Sequence, residues 1–203
     1  MPKQRFQRLS SEKQERILKV AAEEFATHGF DGASYNQIIE RAGVSKGAMY
    51  YYFEDKLDLY LTVLIPALEP LWDVLGEVPE VSEPEAFWGG IAERFELAMA
   101  LFLGSPSLIG LVKSLAGVRG LGEAELHALY GRVYGWLAQL VAVGQGVGAV
   151  RTDLPPELLI QLVAAMGEAH DLWLAQRVES LSAAELAQTV PRLMDLIRRM
   201  VRP

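Results

Sequence analysis

The sequence predicts an all-α chain, and two observations carry that prediction. Nearly every segment of the 203 residues repeats apolar side chains at helical spacing, and alternating strand patterns are almost absent. Glycines, prolines and capping residues fall between those segments, where helix ends belong.

Taken in order, Ser11 with Gln14 reads as a capping box. It opens a helix whose Ile17, Leu18, Ala21, Ala22 and Phe25 share one face and which Gly29 stops. Ser34 with Gln37 opens a short helix carrying Ile38 and Ile39, ending at Gly43. Ser45 caps a third, very short helix through Tyr52. Asp55 caps a fourth, over about 55–75, in which Pro66 and Pro70 each remove a backbone donor and predict a kink. Further helices are expected over about 84–103, 106–115, 123–144, 156–178 and 183–201, the last opened by Ser182 with Glu185. The total is about nine helices and no sheet.

Composition narrows the class. Half the residues are apolar, enough for a substantial core. The absence of cysteine excludes disulfides and thiolate metal sites. The opening MPKQRFQRLSSEKQER has no apolar run behind its charges, unlike a secretory signal. The most apolar stretch, 126–150, is interrupted by five glycines and Arg132, so no membrane span is expected and a cytoplasmic location is. Charge is uneven. Residues 1–56 hold nine basic and eight acidic side chains, and the remaining 147 hold ten and eighteen. A basic leading edge on an acidic body suits a head that meets phosphate, and it equally suits a solvated arm.

Residues 34–53 read SYNQIIERAGVSKGAMYYYF. This is a short helix, a tight turn at Gly43 and a second short helix, with Ala42 and Val44 small enough for close packing. In a helix-turn-helix the second helix enters the major groove with its N-terminal residues at the bases. Here those are Ser45, Lys46, Gly47 and Ala48. Such a helix pair also occurs in helical proteins that touch no DNA, and the residues alone leave both readings open.

Residues 76–203 carry no recognisable chemistry. His28, His127 and His170 are isolated across the chain, no serine sits in a nucleophile elbow, and Gly144–Gly148 follow no strand. Catalytic residues, metal sites and cofactors are therefore not expected. Aromatic and methionine side chains stand out instead. Trp72, Trp88, Phe95, Met99, Phe102, Tyr130, Tyr134, Met166, His170 and Trp173 are candidates for lining a ligand pocket, against simple core packing. Two apolar stripes, Leu158, Leu162, Ala165, Ala169 and Leu172, then Leu186, Val190, Leu193 and Ile197, are candidates for a four-helix dimer interface or for burial within one subunit.

Residues 13–59 resemble the N-terminal domain of the TetR family of transcriptional repressors. The matching pieces are RILKVAAEEFATHGF, the capping Ser34 before QIIERAGVSKGAMYYYF, and DKLDL. Ser34 stands where threonine is usual and Tyr52 where histidine is common. The resemblance implies a three-helix DNA-binding domain over 1–54 and a larger helical ligand-binding and dimerisation domain over 55–203, with the fourth helix as connector. It implies that Lys46, Gly47 and Ala48 face bases and that Ser34, Ser45, Tyr50, Tyr51 and Lys56 contact phosphate. Gln37 and Tyr52 are further DNA-contact candidates. It implies a homodimer on a pseudo-palindromic double-stranded operator, released by a small apolar or amphipathic effector, with no enzymatic activity. The alternative is a DNA-binding regulator that senses no small molecule.

Overall fold

The computed structural model describes residues 4–78, 80–118, 123–178 and 180–203. Among them there is no strand. The helices are α1 (Gln4–Gln7), α2 (Ser11–Gly32), α3 (Tyr35–Arg41), α4 (Lys46–Tyr52), α5 (Lys56–Leu75), α6 (Pro84–Leu103), α7 (Pro106–Ser114), α8 (Glu123–Gly146), α9 (Pro156–Arg177) and α10 (Ala183–Val201), with a 3-10 turn at Leu115–Val118.

Most starts and stops follow the local chemistry expected of them. Ser34 Oγ accepts from Gln37 N, Ser45 Oγ from Ala48 N and Asp55 Oδ1 from Asp58 N. Ser182 and Glu185 form a full capping box. Gly43 takes the left-handed turn with φ 65°. The α2 start differs. Its N-cap is Ser10, one residue before the expected Ser11, and Ser10 makes no side-chain cap. The Gln14 side chain instead donates to the carbonyls of Leu9 at 2.9 Å and Gln7 at 3.2 Å. Those carbonyls belong to and follow α1, a single turn the sequence pattern did not show. Gly29 leaves helical geometry as expected (φ 70°, ψ 174°), and a last turn continues to Gly32. α5 runs from Lys56 to Leu75 through Pro66 and Pro70.

The chain forms two compact units, Met1–Glu69 with Ser105–His127, and Pro70–Gly104 with Ala128–Pro203. In the first, α7 crosses α2 so closely that a Cβ placed on Gly110 would lie 2.5 Å from the Ala26 carbonyl oxygen. Tyr60, fully buried, donates its hydroxyl to Leu111 O at 2.8 Å, and its ring meets Phe25 and Phe30 edge-on. These contacts are why the segment at 105–118 packs with the N-terminal helices.

The second unit is centred on Phe87, Ile91, Leu137, Leu140, Val141, Val150, Leu159, Leu193, Ile197 and Val201. Gly144 sits against Phe87 and Val150, where a Cβ would approach within 2.5–2.9 Å. Beyond α8, Arg151 N donates to Val201 O at 2.7 Å and the Arg151 guanidinium pairs with both Asp153 oxygens. This hydrogen-bonded link ties the loop before α9 to the end of α10. It also holds the Asp153 carboxyl below its usual range.

One composition-based expectation is corrected. α9 does have the length and apolarity of a membrane span. Little of it is buried, so its apolar face lies open.

Candidate nucleic-acid interface

The helix pair α3–α4 is held from below by a buried carboxylate. Glu24 on α2 is 3% exposed, yet its Oε1 accepts from Ser34 N at 3.0 Å and its Oε2 faces Arg41 Nη1 at 3.4 Å. Arg41 also pairs with Glu23 at 2.6 Å. A buried carboxylate is tolerated only when paired and hydrogen-bonded, and here the pairing fixes where α3 begins. The signal was present in the sequence: Glu24 occupies a position on the Ile17–Ala21–Phe25 face, where an unpaired charge would not survive.

α4 is one and a half turns with a sharp division of faces. At about 100° per residue, Lys46, Gly47, Tyr50 and Tyr51 fall within one arc, and all four are exposed. Tyr50 and Tyr51 are 48% and 49% exposed, an uncommon condition for large aromatics and one suited to an interface. Met49, fully buried, anchors the opposite arc. A Cβ placed on Gly47 would meet nothing within 4 Å, so the backbone is open to close approach on that side. Ser34 caps α3 near the exposed Gln37 in sequence, and Ser45 caps α4 just before the exposed Lys46.

Three residues stand differently from the sequence expectation. Ala48 is half-buried at the margin of the exposed arc. Tyr52 is 8% exposed and packs edge-on against Phe6 at 6.2 Å, because its angular position is that of the buried face. The Lys56 ammonium donates to Asp31 O and Ala33 O, both at 3.3 Å, and lies 4.7 Å from the Phe30 ring centre. It closes the carbonyl end of α2 onto α5. Beside the exposed arc, the Tyr35 ring lies 5.4 Å from that of Tyr50, tilted by 50°. Burial, reinforced by the Tyr50 hydroxyl, pushes the Tyr35 phenol above its usual value, so it stays protonated.

An exposed, cap-initiated short helix behind a left-handed glycine turn is the geometry of a DNA-reading helix-turn-helix. Known proteins agree. The family model described as "Bacterial regulatory proteins, tetR family" matches residues 17–63. The HTH-type transcriptional regulator RutR of Escherichia coli (strain K12) is 30% identical over 207 residues, covering 97% of this chain and 93% of that one. The chain belongs to the TetR family.

Solved transcriptional regulators share the fold. A TetR family transcriptional regulator from Chloroflexus aurantiacus aligns over 100% of this chain and 99% of that one, with a TM-score of 0.66 and 22% identity. FadR from Bacillus subtilis, solved in complex with stearoyl-CoA, aligns over 92% and 98%, with a TM-score of 0.70 and 15% identity. As a TetR-family member the chain is a DNA-binding transcriptional regulator and not an enzyme.

The second unit holds an apolar cavity of about 60 Å³. Trp88 and Phe95 line it, as expected, together with Phe87, Ile91, Trp136, Val163 and Met194. Trp72 instead lines an open cleft of about 460 Å³ with Asp73, Glu77, Arg132 and Trp136. Met99, Phe102, Tyr130, Tyr134, Met166, His170 and Trp173 line neither space. Tyr130, Tyr134 and Trp173 are more than a third exposed, and His170 Nδ1 pairs with Asp171 at 3.1 Å. Aliphatic residues at helical spacing form most of the cavity wall, and nothing in their type separates them from ordinary core.

The two expected interface stripes part company. On α9, Leu158, Leu162, Ala165 and Ala169 are exposed and Leu172 is half-buried. On α10, Leu186 is half-buried, while Val190, Leu193 and Ile197 are 3–7% exposed. Leu193 and Ile197 belong to their own unit's core, on a helix that packs on α6 and α9, so they face inward. Leu196, 56% exposed, is what α10 turns outward.

Proposed function

We propose that this regulator is a homodimeric, cytoplasmic repressor that leaves a pseudo-palindromic operator when a small apolar ligand fills the cavity beside Trp88 and Phe95. In this reading residues 1–54 read DNA and residues 55–203 bind ligand and dimerise. The observation that carries the proposal is the cavity itself: core side chains that normally fill space to crystal-like density leave about 60 Å³ walled only by apolar groups. FadR of Bacillus subtilis, of the same fold, was solved with stearoyl-CoA. A space of about 60 Å³ suits a compact apolar molecule. The open face of α9 supports the dimer, since a patch of that kind marks an interaction surface. A ligand releases DNA only by binding the DNA-incompetent arrangement more tightly, so pocket occupancy and operator affinity must be linked.

The test is mass spectrometry of small molecules extracted from the purified protein, followed by their addition to the protein–operator complex. A co-purifying apolar compound that releases operator, with release abolished in Val163→Phe while operator affinity is kept, is the expected result. If no compound co-purifies, and indole, benzene and short fatty acids release nothing, the chain is a regulator without a small-molecule ligand.

A further inference from the structure

We infer that Arg5 belongs to the DNA-binding surface: α1 is a clasp that carries its guanidinium onto the exposed face of Tyr51, where the two grip a backbone phosphate. The inference rests on the reading of the exposed arc of α4 as the face that meets DNA.

The segment before α2 is short, basic and polar, and by composition alone it reads as a solvated arm. The structure anchors it at two points. Phe6 is 3% exposed, with its ring 4.8 Å from Phe53 and 6.2 Å from Tyr52. The turn then closes through Leu9 N to Phe6 O at 3.0 Å, and the Gln14 side chain bonds the carbonyls of Gln7 and Leu9. A single helical turn has almost no stability of its own. It persists here because Phe6 is buried under the C-terminal end of α4.

With Phe6 pointing inward, its neighbour Arg5 points out. The Arg5 guanidinium carbon lies 4.1 Å from the Tyr51 ring centre, over a side chain that is 49% exposed. Lys13 places a second cation 5.9 Å from the Tyr52 ring. Stacking on an aromatic face holds a guanidinium flat while its in-plane N–H donors stay at the edges, in the fork that matches phosphate oxygens. A free arginine must be ordered when it meets DNA. This one is already held over the Tyr51 ring, so Arg5 and Tyr51 present one composite phosphate site per subunit. Tyr52, buried between them and Phe6, supports the site rather than touching DNA.

The experiment measures binding of a fluorescein-labelled, random-sequence 30-base-pair duplex at several salt concentrations. It uses wild type, Arg5→Gln, Arg5→Lys, Tyr51→Ala and Phe6→Ala. Each lost phosphate contact lowers the log–log salt slope by about 0.9. Arg5→Gln should therefore reduce the slope by about two in a dimer and weaken binding on the order of tenfold at physiological salt. Its melting temperature should match wild type. Arg5→Lys should restore most of the slope, and Phe6→Ala and Tyr51→Ala should lose as much as Arg5→Gln. A wild-type slope in Arg5→Gln, with DNA binding intact, overturns the assignment of Arg5 alone. A wild-type protein that binds no duplex overturns the DNA-facing role of α4 together with it.

Discussion

Replacing Gly110 by alanine should destabilise the protein even though alanine is the better helix former. A Cβ at this position would lie 2.5 Å from the Ala26 carbonyl oxygen and 2.7 Å from both Ala26 Cα and Cβ. Carbon atoms in good contact sit about 3.5–4.0 Å apart, so α2 and α7 must separate by roughly 1 Å. The obstructing atoms are mostly backbone and cannot rotate away. Overpacking of this kind costs about 1–3 kcal/mol, and the glycine-to-alanine gain in helix propensity returns about 1 kcal/mol. The net loss is about 0–2 kcal/mol, a melting-temperature drop of up to roughly 8 °C for a chain of this length. The control is Gly131→Ala on α8, where nothing lies within 4 Å of the added methyl and a gain of about 0.5–1 kcal/mol is expected. Thermal melts followed by circular dichroism report both variants. A Gly110→Ala protein stabilised as much as Gly131→Ala would refute the close crossing of α2 and α7.

Glu24→Gln should lower stability by about 1–3 kcal/mol, because the buried carboxylate's charge pairing with the exposed Arg41 is lost, and duplex binding should weaken with it; melting and fluorescence anisotropy measure the two. Lys56→Ala should lower the melting temperature and leave the salt slope of DNA binding unchanged, since its ammonium is engaged with Asp31 O and Ala33 O. Leu158→Glu with Leu162→Glu should yield a folded monomer in sedimentation, because both side chains are exposed. Leu193→Glu should unfold the second unit, as followed by circular dichroism, because an unpaired charge in its core costs several kcal/mol.

Legibility followed the range of the forces involved. Capping, left-handed glycines and helical periodicity act within a few residues, so Ser34, Gly43, Ser45, Asp55 and Ser182 marked their helix ends in the sequence itself. α1 was not legible, because its cause is Phe6 packing on Tyr52 and Phe53, nearly fifty residues away. The reach of Lys56 back to Asp31 and Ala33 is non-local in the same way. On α4, periodicity separates Lys46, Gly47, Tyr50 and Tyr51 from Tyr52 once the buried side is known, yet three consecutive tyrosines do not announce which one turns in. Trp88 and Phe95 were the legible part of the cavity, as aromatics on a helix that packs on the core. The rest of its wall is aliphatic, and a void depends on how those side chains fail to meet. The α9 and α10 stripes look alike in sequence. Only the packing of Leu193 and Ile197 against Phe87 and Ile91 shows that one is core and the other open.

The most direct test of the central claim is selection of preferred sites from a randomised duplex pool by the wild-type protein and by Lys46→Ala. Lys46 leads the exposed arc of α4, and a lysine can donate to a guanine edge. The wild type should enrich one pseudo-palindromic sequence whose half-sites lie about one helical turn apart, or a multiple of it. Lys46→Ala should bind the same pool with a relaxed preference at matching positions in both half-sites. Enrichment of no sequence by the wild type, or an identical motif of equal strength from Lys46→Ala, would contradict α4 as the reading helix.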